Sequence, residues 1–285
     1  MLLRKSPLDN PTAFWDQGRI MLNMNDSWTS GNQYERFMGR WSKLISQKFL
    51  AWLSVPPGRV WLDVGCGTGS LTKLILEKYR PQKVISIDSS SEFISYSKQS
   101  IISPNVYFQI GMAEELEIES NSIDAVVSGI MLNFVPQPKT IIAEMIRVAK
   151  PGGTIGIFVW DYPKGMEMLR YFWDAAVELD IKAKEYDEGI RFPLCQEGQL
   201  ESLVKTFDLK EVASIAIEER IIFKNFEDYW LPFLGNVGPA PSYAMSLGEK
   251  DRHKLENRLR ELLPIEQDDS ISLMIKAWAV KGQAG

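Results

Sequence analysis

The chain has 285 residues, 45% of them hydrophobic, and carries 37 acidic against 32 basic side chains for a formal net charge of −5. That balance argues against nucleic acid as a partner, because phosphate contacts need a basic surface, and no apolar run approaches the ~20 residues that span a bilayer. The start of the chain lacks the apolar stretch of a signal peptide. Cys66 and Cys195 form no disulfide framework, and they make no metal site with a single histidine, so a reducing cytoplasmic setting without a metal is expected.

In chain order, an irregular stretch with Phe14, Trp15 and Trp28 precedes an amphipathic helix over Gln33–Leu53. Phe37, Trp41, Leu44, Ile45 and Phe49 recur there at helical spacing, and Pro56-Pro57-Gly58 ends it. The apolar run Val60–Val64 then reads as a strand. Gly65, Gly67 and Gly69 follow at every second position, and a helix opens at about Leu71. Such glycines let the backbone turn sharply and admit a ligand where a Cβ would block it. The helix start offers free N–H groups, and a strand-turn-helix of this kind is where an open α/β sheet receives a nucleotide-like cofactor. The spacing is G-x-G-x-G, not the G-x-G-x-x-G of a dinucleotide fingerprint. Asp63, two residues before the first glycine, would repel a pyrophosphate but suits a cationic amino group. The next strand, Lys83–Ile87, ends in Asp88, whose carboxylate can accept hydrogen bonds from both hydroxyls of a ribose.

Strand and helix continue to alternate: a helix over Ser90–Gln99, a strand over Val106–Ile110, a strand within Asn121–Gly129, a helix over Pro138–Ala149 and a fifth strand running to Trp160. Beyond Trp160 the pattern changes. Met166–Leu179 is a helix dense in aromatics, residues 184–195 look irregular, and Gly198–Phe207 is helical. Val212–Phe223 has strand character. Phe226–Leu234, a Gly/Pro-rich turn at Gly235–Pro241 and a charged helix at Leu247–Leu263 lead to a final alternating strand, Ser272–Val280.

The glycine turn with Asp63 and Asp88, the segment Asn121–Gly129 and the junction Arg147–Ile157 stand in order over residues 58–160. Together they resemble the class I S-adenosylmethionine-dependent methyltransferases. The resemblance implies an α/β fold: a Rossmann-like, doubly wound, seven-stranded and mostly parallel sheet with a final antiparallel strand, plus a helical cap. Residues 1–55 would form an N-terminal helical lid and 56–160 the cofactor-binding core. Residues 161–285 would supply the rest of the sheet, with cap segments at about 161–197 and 224–270.

It also implies S-adenosylmethionine as cofactor. The turn residues Gly65, Cys66, Gly67 and Gly69 would hold it with Asp63, and Asp88 and Ser89 would take the ribose. Met112 and Ala113 would meet the adenine, although Met112 departs from the acid common at that position and offers a thioether for the ring face. Ser128 and Met131, which follow the fourth strand, would also contact the cofactor. On the N-terminal helix, Tyr34 and Arg40 would close over the cofactor, a guanidinium fork suiting its carboxylate. Asn133 is either an acceptor contact or a helix cap. Trp160 and Tyr162, at the end of the fifth strand, and the cap aromatics Trp173 and Tyr229 would line the acceptor pocket. His253 sits in a charged helix and reads as a surface residue.

The expected reaction is in-line methyl transfer to a small organic acceptor, with no catalytic residue assigned and no nucleic-acid or membrane partner. An NAD(P)-dependent oxidoreductase is disfavoured by the glycine spacing and Asp63. A non-catalytic protein of methyltransferase fold that keeps the cofactor or serves as a scaffold is the alternative from another class.

Overall fold

The computed structural model describes residues 31–285, so Phe14, Trp15 and Trp28 lie outside the described residues. A helical turn α1 (Gly31–Tyr34), a π turn (Glu35–Gly39) and helix α2 (Arg40–Leu53) run on from one another. There follow β1 (Val60–Val64), α3 (Ser70–Tyr79), β2 (Lys83–Asp88), α4 (Ser91–Ser100), β3 (Val106–Ile110), β4 (Ile123–Gly129), α5 (Pro138–Val148) and β5 (Ala149–Trp160). The C-terminal part comprises α6 (Glu167–Leu179), α7 (Glu188–Arg191), α8 (Gln199–Val204), β6 (Leu209–Phe223), α9 (Phe226–Trp230), α10 (Pro239–Ser246), α11 (Glu249–Leu262) and β7 (Ile271–Ala284).

The seven strands form one sheet in the order β3-β2-β1-β4-β5-β7-β6. β1 pairs in parallel with β2 and β4, and β5 continues the parallel run. β7 is antiparallel to both β5 and β6. This is the doubly wound, mostly parallel sheet expected from the alternating elements. The strand order reverses at β1, between β2 and β4, which is the place where ligands enter sheets of this kind. β1 and β4 read as nearly unbroken apolar runs because helices cover both of their faces.

The differences from the sequence reading have local causes. The fourth strand starts at Ile123 because Asn121 turns the chain with a φ of +56°. The last strand runs from Ile271 to Ala284 because β6 pairs with it from end to end. Residues 184–195 are not irregular: two short 3-10 turns, Ile181–Glu185 and Pro193–Cys195, flank α7. The Gly/Pro-rich turn shrinks to Asn236–Gly238, since Pro239 opens α10 at a position where a missing N–H costs nothing.

Helix α2 positions the site. It lies against β5 at Gly156, where a Cβ would come within 2.8 Å of the Leu53 methyls and 2.9 Å of the Phe49 ring. Phe49 packs on Phe158 with centroids 4.8 Å apart, and Trp41 meets Phe223 of β6 edge-on at 5.1 Å. The preceding π turn contributes Phe37, which meets Phe233 at 5.1 Å, so the N-terminal helix joins the sheet to the segment after β6. Among the described residues no helix is long and apolar enough to cross a membrane. Phe49 is fully buried. Phe49→Ala should therefore cost about 3–5 kcal/mol in a denaturant titration; a loss near zero would show that α2 is not held by this contact.

Candidate cofactor and acceptor site

The turn after β1 depends on backbone that only glycine adopts freely. Gly65, Gly67 and Gly69 have φ of +71°, +53° and +84°. The amides of Gly65 and Cys66 both donate to the Ile87 carbonyl, at 2.8 and 3.0 Å, which anchors the turn to the end of β2. Nothing stands within 4 Å of where a Gly67 Cβ would be. Over Gly65, by contrast, a Cβ would fall 2.4 Å from Met131 Cγ, so the segment after β4 closes directly on the turn. This glycine cradle, with two carboxylates at its edge, fits a cofactor that needs close backbone approach and a ribose acceptor.

Asp88 sits at the tip of β2. Its Oδ2 accepts from Gly67 N at 2.8 Å and its Oδ1 from Ser90 N at 2.9 Å. Ser89 is exposed beside it and also donates its amide to the carboxylate. Burial raises the Asp88 pKa in spite of these donors. Asp63 is almost fully buried; its Oδ2 accepts from Thr72 N at 3.1 Å and Thr72 Oγ1 at 2.7 Å, and that hydroxyl continues to Ser86 at 2.7 Å. Asp63 thus caps the first turn of α3 while bordering the space above the glycines, together with Tyr34, Ser42, Ser46, Thr68, Ile130 and Phe158. That space measures about 50 Å³, room for a few waters. Burial also drives the Cys66 thiol upward, so Cys66 contributes backbone and packing rather than thiolate chemistry.

The other residues singled out in the sequence fall in varied places. Tyr34 borders the same space, and burial followed by the Glu35 charge pushes its hydroxyl pKa well up. Arg40 does not reach this space; its guanidinium donates to Asp228 Oδ1 at 2.7 Å and to the Asp228 carbonyl at 3.0 Å, because α9 lies closer than the turn. Ser128 is buried in the sheet with its hydroxyl on the Val64 carbonyl at 2.8 Å. Met112 is exposed on the loop after β3, next to Ala113, and Gly111 N bonds the Asp88 carbonyl at 3.0 Å.

Trp173 and Tyr229 are fully buried and do not line an opening: the Trp173 indole N–H donates to Glu188, and the Tyr229 hydroxyl donates to the Met168 carbonyl at 2.8 Å. These aromatics fill a core of the C-terminal helices themselves. Asn133, Trp160 and Tyr162 are buried where β4 and β5 end. His253 is exposed on α11, with Nδ1 3.5 Å from Glu256. Two residues the sequence reading passed over meet at the turn: Thr68 Oγ1 donates to Glu35 Oε1 at 2.5 Å. The position of Thr68 between two glycines and of Glu35 beside Tyr34 was the available signal.

Burial lifts the Asp63 carboxyl from its ordinary 3.8 to about 7. Ionising it therefore costs the folded state: its contribution is complete below about pH 4 and is lost as the pH rises to about 7. Asp63→Asn, which cannot ionise, should gain on the wild type by about 1–3 kcal/mol in unfolding measurements between about pH 5 and about pH 8. Parallel profiles for the two proteins would mean that Asp63 is ionised throughout.

Residues 62–157 match the Methyltransferase domain family. A demethylmenaquinone methyltransferase of Bacillus cereus is 36% identical over 125 residues, covering 40% of this chain and 53% of the relative. An uncharacterised methyltransferase of Mycobacterium tuberculosis is 34% identical over 110 residues, covering 39% and 43%. The chain thus spans about half the length of these relatives. Among solved structures, phosphoethanolamine N-methyltransferase 2 of Haemonchus contortus, in complex with S-adenosyl-L-methionine, superposes with a TM-score of 0.58 at 17% identity, covering 96% of this chain and 60% of that one. The YcgJ protein of Bacillus subtilis gives 0.53 at 16% identity, covering 86% and 98%. These two share the fold. With the ordered motifs and the glycine cradle, the match over residues 62–157 identifies the chain as carrying a class I methyltransferase domain, the family whose cofactor is S-adenosylmethionine.

Proposed function

We propose that the protein transfers the methyl group of S-adenosylmethionine to a small, largely apolar or aromatic acceptor seated where β4 and β5 end. In this reading residues 31–55, the described part of the N-terminal segment, form a lid, and the segments 161–197 and 224–270 form a cap. The observation that carries the acceptor side is Asn133. It lies in the short 3-10 turn Leu132–Phe134 after β4, 8% exposed, and neither its amide nitrogen nor its amide oxygen has a partner. Among the described residues it alone has two such side-chain atoms. Such a group costs a few kcal/mol, a cost that makes sense where a ligand supplies the missing bonds.

Trp160 is fully buried and also has an unpartnered indole N–H. Phe192 packs against Phe134 at 4.9 Å and against Tyr162 at 5.9 Å, giving an aromatic corner beside these polar atoms, the usual make-up of a small-molecule pocket. The names of the demethylmenaquinone and phosphoethanolamine methyltransferases support an acceptor that is not a macromolecule.

When bound, the cofactor supplies a methyl group on a positively charged sulfur, already activated for displacement. What remains for the chain is placement. The Asn133 amide orients a polar atom of the acceptor, and the aromatic corner keeps water away. Proximity of this kind is worth ~7–11 kcal/mol, against about 3–5 kcal/mol for a general base. The exposed His253 is accordingly given no proton to move. The net negative chain is a poor host for polyanions, and the spacing that disfavours a dinucleotide also disfavours an oxidoreductase. Two free, buried cysteines agree with a cytoplasmic setting.

Calorimetry should detect binding of S-adenosylmethionine and S-adenosylhomocysteine but not of NAD(P). Asp88→Ala should weaken both by about 1.5–3 kcal/mol. Against a panel of metabolites, the wild type should release S-adenosylhomocysteine, and Asn133→Ala should lower kcat/KM for the acceptor about 10–100-fold while leaving cofactor affinity in place. Cofactor binding without turnover on any acceptor would favour the scaffold reading, and robust methylation of DNA or RNA would refute the acceptor class.

A further inference from the structure

The N-terminal helix reaches the glycine turn through a carboxylate. Glu35 accepts from Thr68 Oγ1 at 2.5 Å, and Thr68 is itself buried within the turn. Glu35 opens the π turn Glu35–Gly39, a wider winding often found at functional sites. A Cβ on Gly39 would fall 2.5–2.6 Å from the Glu35 carboxylate, so the absence of a side chain at Gly39 is what lets Glu35 fold back toward the turn. Asp63 and Asp88 lie on the same turn, one beneath it and one bonded to Gly67 N. The carboxyl groups share a field: Glu35 and Asp88 both add to burial in raising the Tyr34 hydroxyl, and Asp88 adds to burial in raising Asp63 to about 7.

Among the described residues, no basic side chain borders the space at the turn. Arg36, next to Glu35, is exposed and lines a neighbouring cavity with Glu35 and Arg40, and Arg40 is turned to Asp228. The side chains that border the space at the turn thus include a carboxyl group, Asp63, and no cation, and Glu35 reaches that space through Thr68.

The two forms of the cofactor differ by one charge. The sulfonium form carries a positive sulfur, an ammonium and a carboxylate. When the methyl leaves, the electron pair of the broken S–C bond stays on sulfur, and the thioether product keeps only the ammonium and the carboxylate. Resting on the cofactor reading above, we propose that Glu35 is a further cofactor-site residue that sets a preference for the sulfonium form over the thioether product. Its charge acts through a partly buried medium, where one unit charge several ångströms away changes binding by roughly tenfold. Product release is the step that gains, because the ligand that has lost its positive sulfur is held less firmly.

The test is calorimetry on the full chain with S-adenosylmethionine and S-adenosylhomocysteine, for the wild type, Glu35→Gln and Glu35→Asp, at low and at high salt. Folding is checked by thermal melts. Glu35→Gln should weaken S-adenosylmethionine about 5–10-fold and S-adenosylhomocysteine less than about 2-fold. Glu35→Asp, which keeps the charge, should retain most of the wild-type preference, and the preference should shrink as salt rises. Equal losses for both ligands, unchanged binding or tighter binding in Glu35→Gln would overturn the proposal, as would loss of the preference in a folded Glu35→Asp. A wild type that binds neither ligand would overturn the cofactor reading and this inference with it, an outcome distinct from binding both without discrimination by Glu35.

Discussion

The site depends first on one carbonyl. Ile87, the last residue before Asp88, accepts hydrogen bonds from both Gly65 and Cys66. Those bonds hold three left-handed glycines in a fixed place against β2, and they bring Asp88 to where its side chain can take the amide of Gly67. The parallel register of β1 and β2, Val64 opposite Ile87, is what makes this geometry possible. A shift of one residue would turn Asp88 to the other face of the sheet and leave the turn without its anchor.

Around that anchor the protein gathers buried carboxyl groups, and among the described residues no basic side chain borders the space at the turn. Asp63 and Asp88 both have raised pKa values, chiefly because burial penalises the carboxylate. A charged group held in this way is costly to the fold, and the cost is reasonable where a cationic ligand restores the balance. The opposite arrangement holds in the C-terminal helices. There Arg170 forms a two-pronged ion pair with Asp187, and Glu188, lifted to about 7 by burial, accepts from the Trp173 indole and from Ala240 N at 3.3 Å. These pairings are made within the protein itself, and they tie α6, α7 and α10 together.

The same contrast separates the aromatic residues. Phe172 stacks on Phe233 at 4.6 Å, and Trp173 leans on Tyr243 at 5.4 Å, closing an aromatic core in which the Trp173 indole and the Tyr229 hydroxyl both have partners. Where β4 and β5 end, the rings of Phe134, Tyr162 and Phe192 stand beside the unpaired amide of Asn133. Aromatic content alone therefore does not distinguish a pocket from a core. The state of the neighbouring polar groups does.

Much of this was legible in the chain itself. The alternation of apolar strands and amphipathic helices, the glycine spacing, Asp63 ahead of it and Asp88 after the second strand are local patterns, and local backbone preference and burial act over a few residues. The final strand also showed its alternation, though not that it lies between β5 and β6 and is paired along its whole length. Tertiary structure decided the rest. Arg40 finds Asp228 across 188 residues, an ion pair that nothing in the helix around Arg40 announces. Trp173 and Tyr229 turned inward because the segments after β5 and β6 pack on one another and enclose them. Glu35 became part of the cofactor site because α2 docks on Gly156 and sets the preceding turn above Thr68. Periodicity shows which face of an element is apolar; which distant residue meets that face depends on how the elements pack, and that information is not contained in any short stretch of sequence.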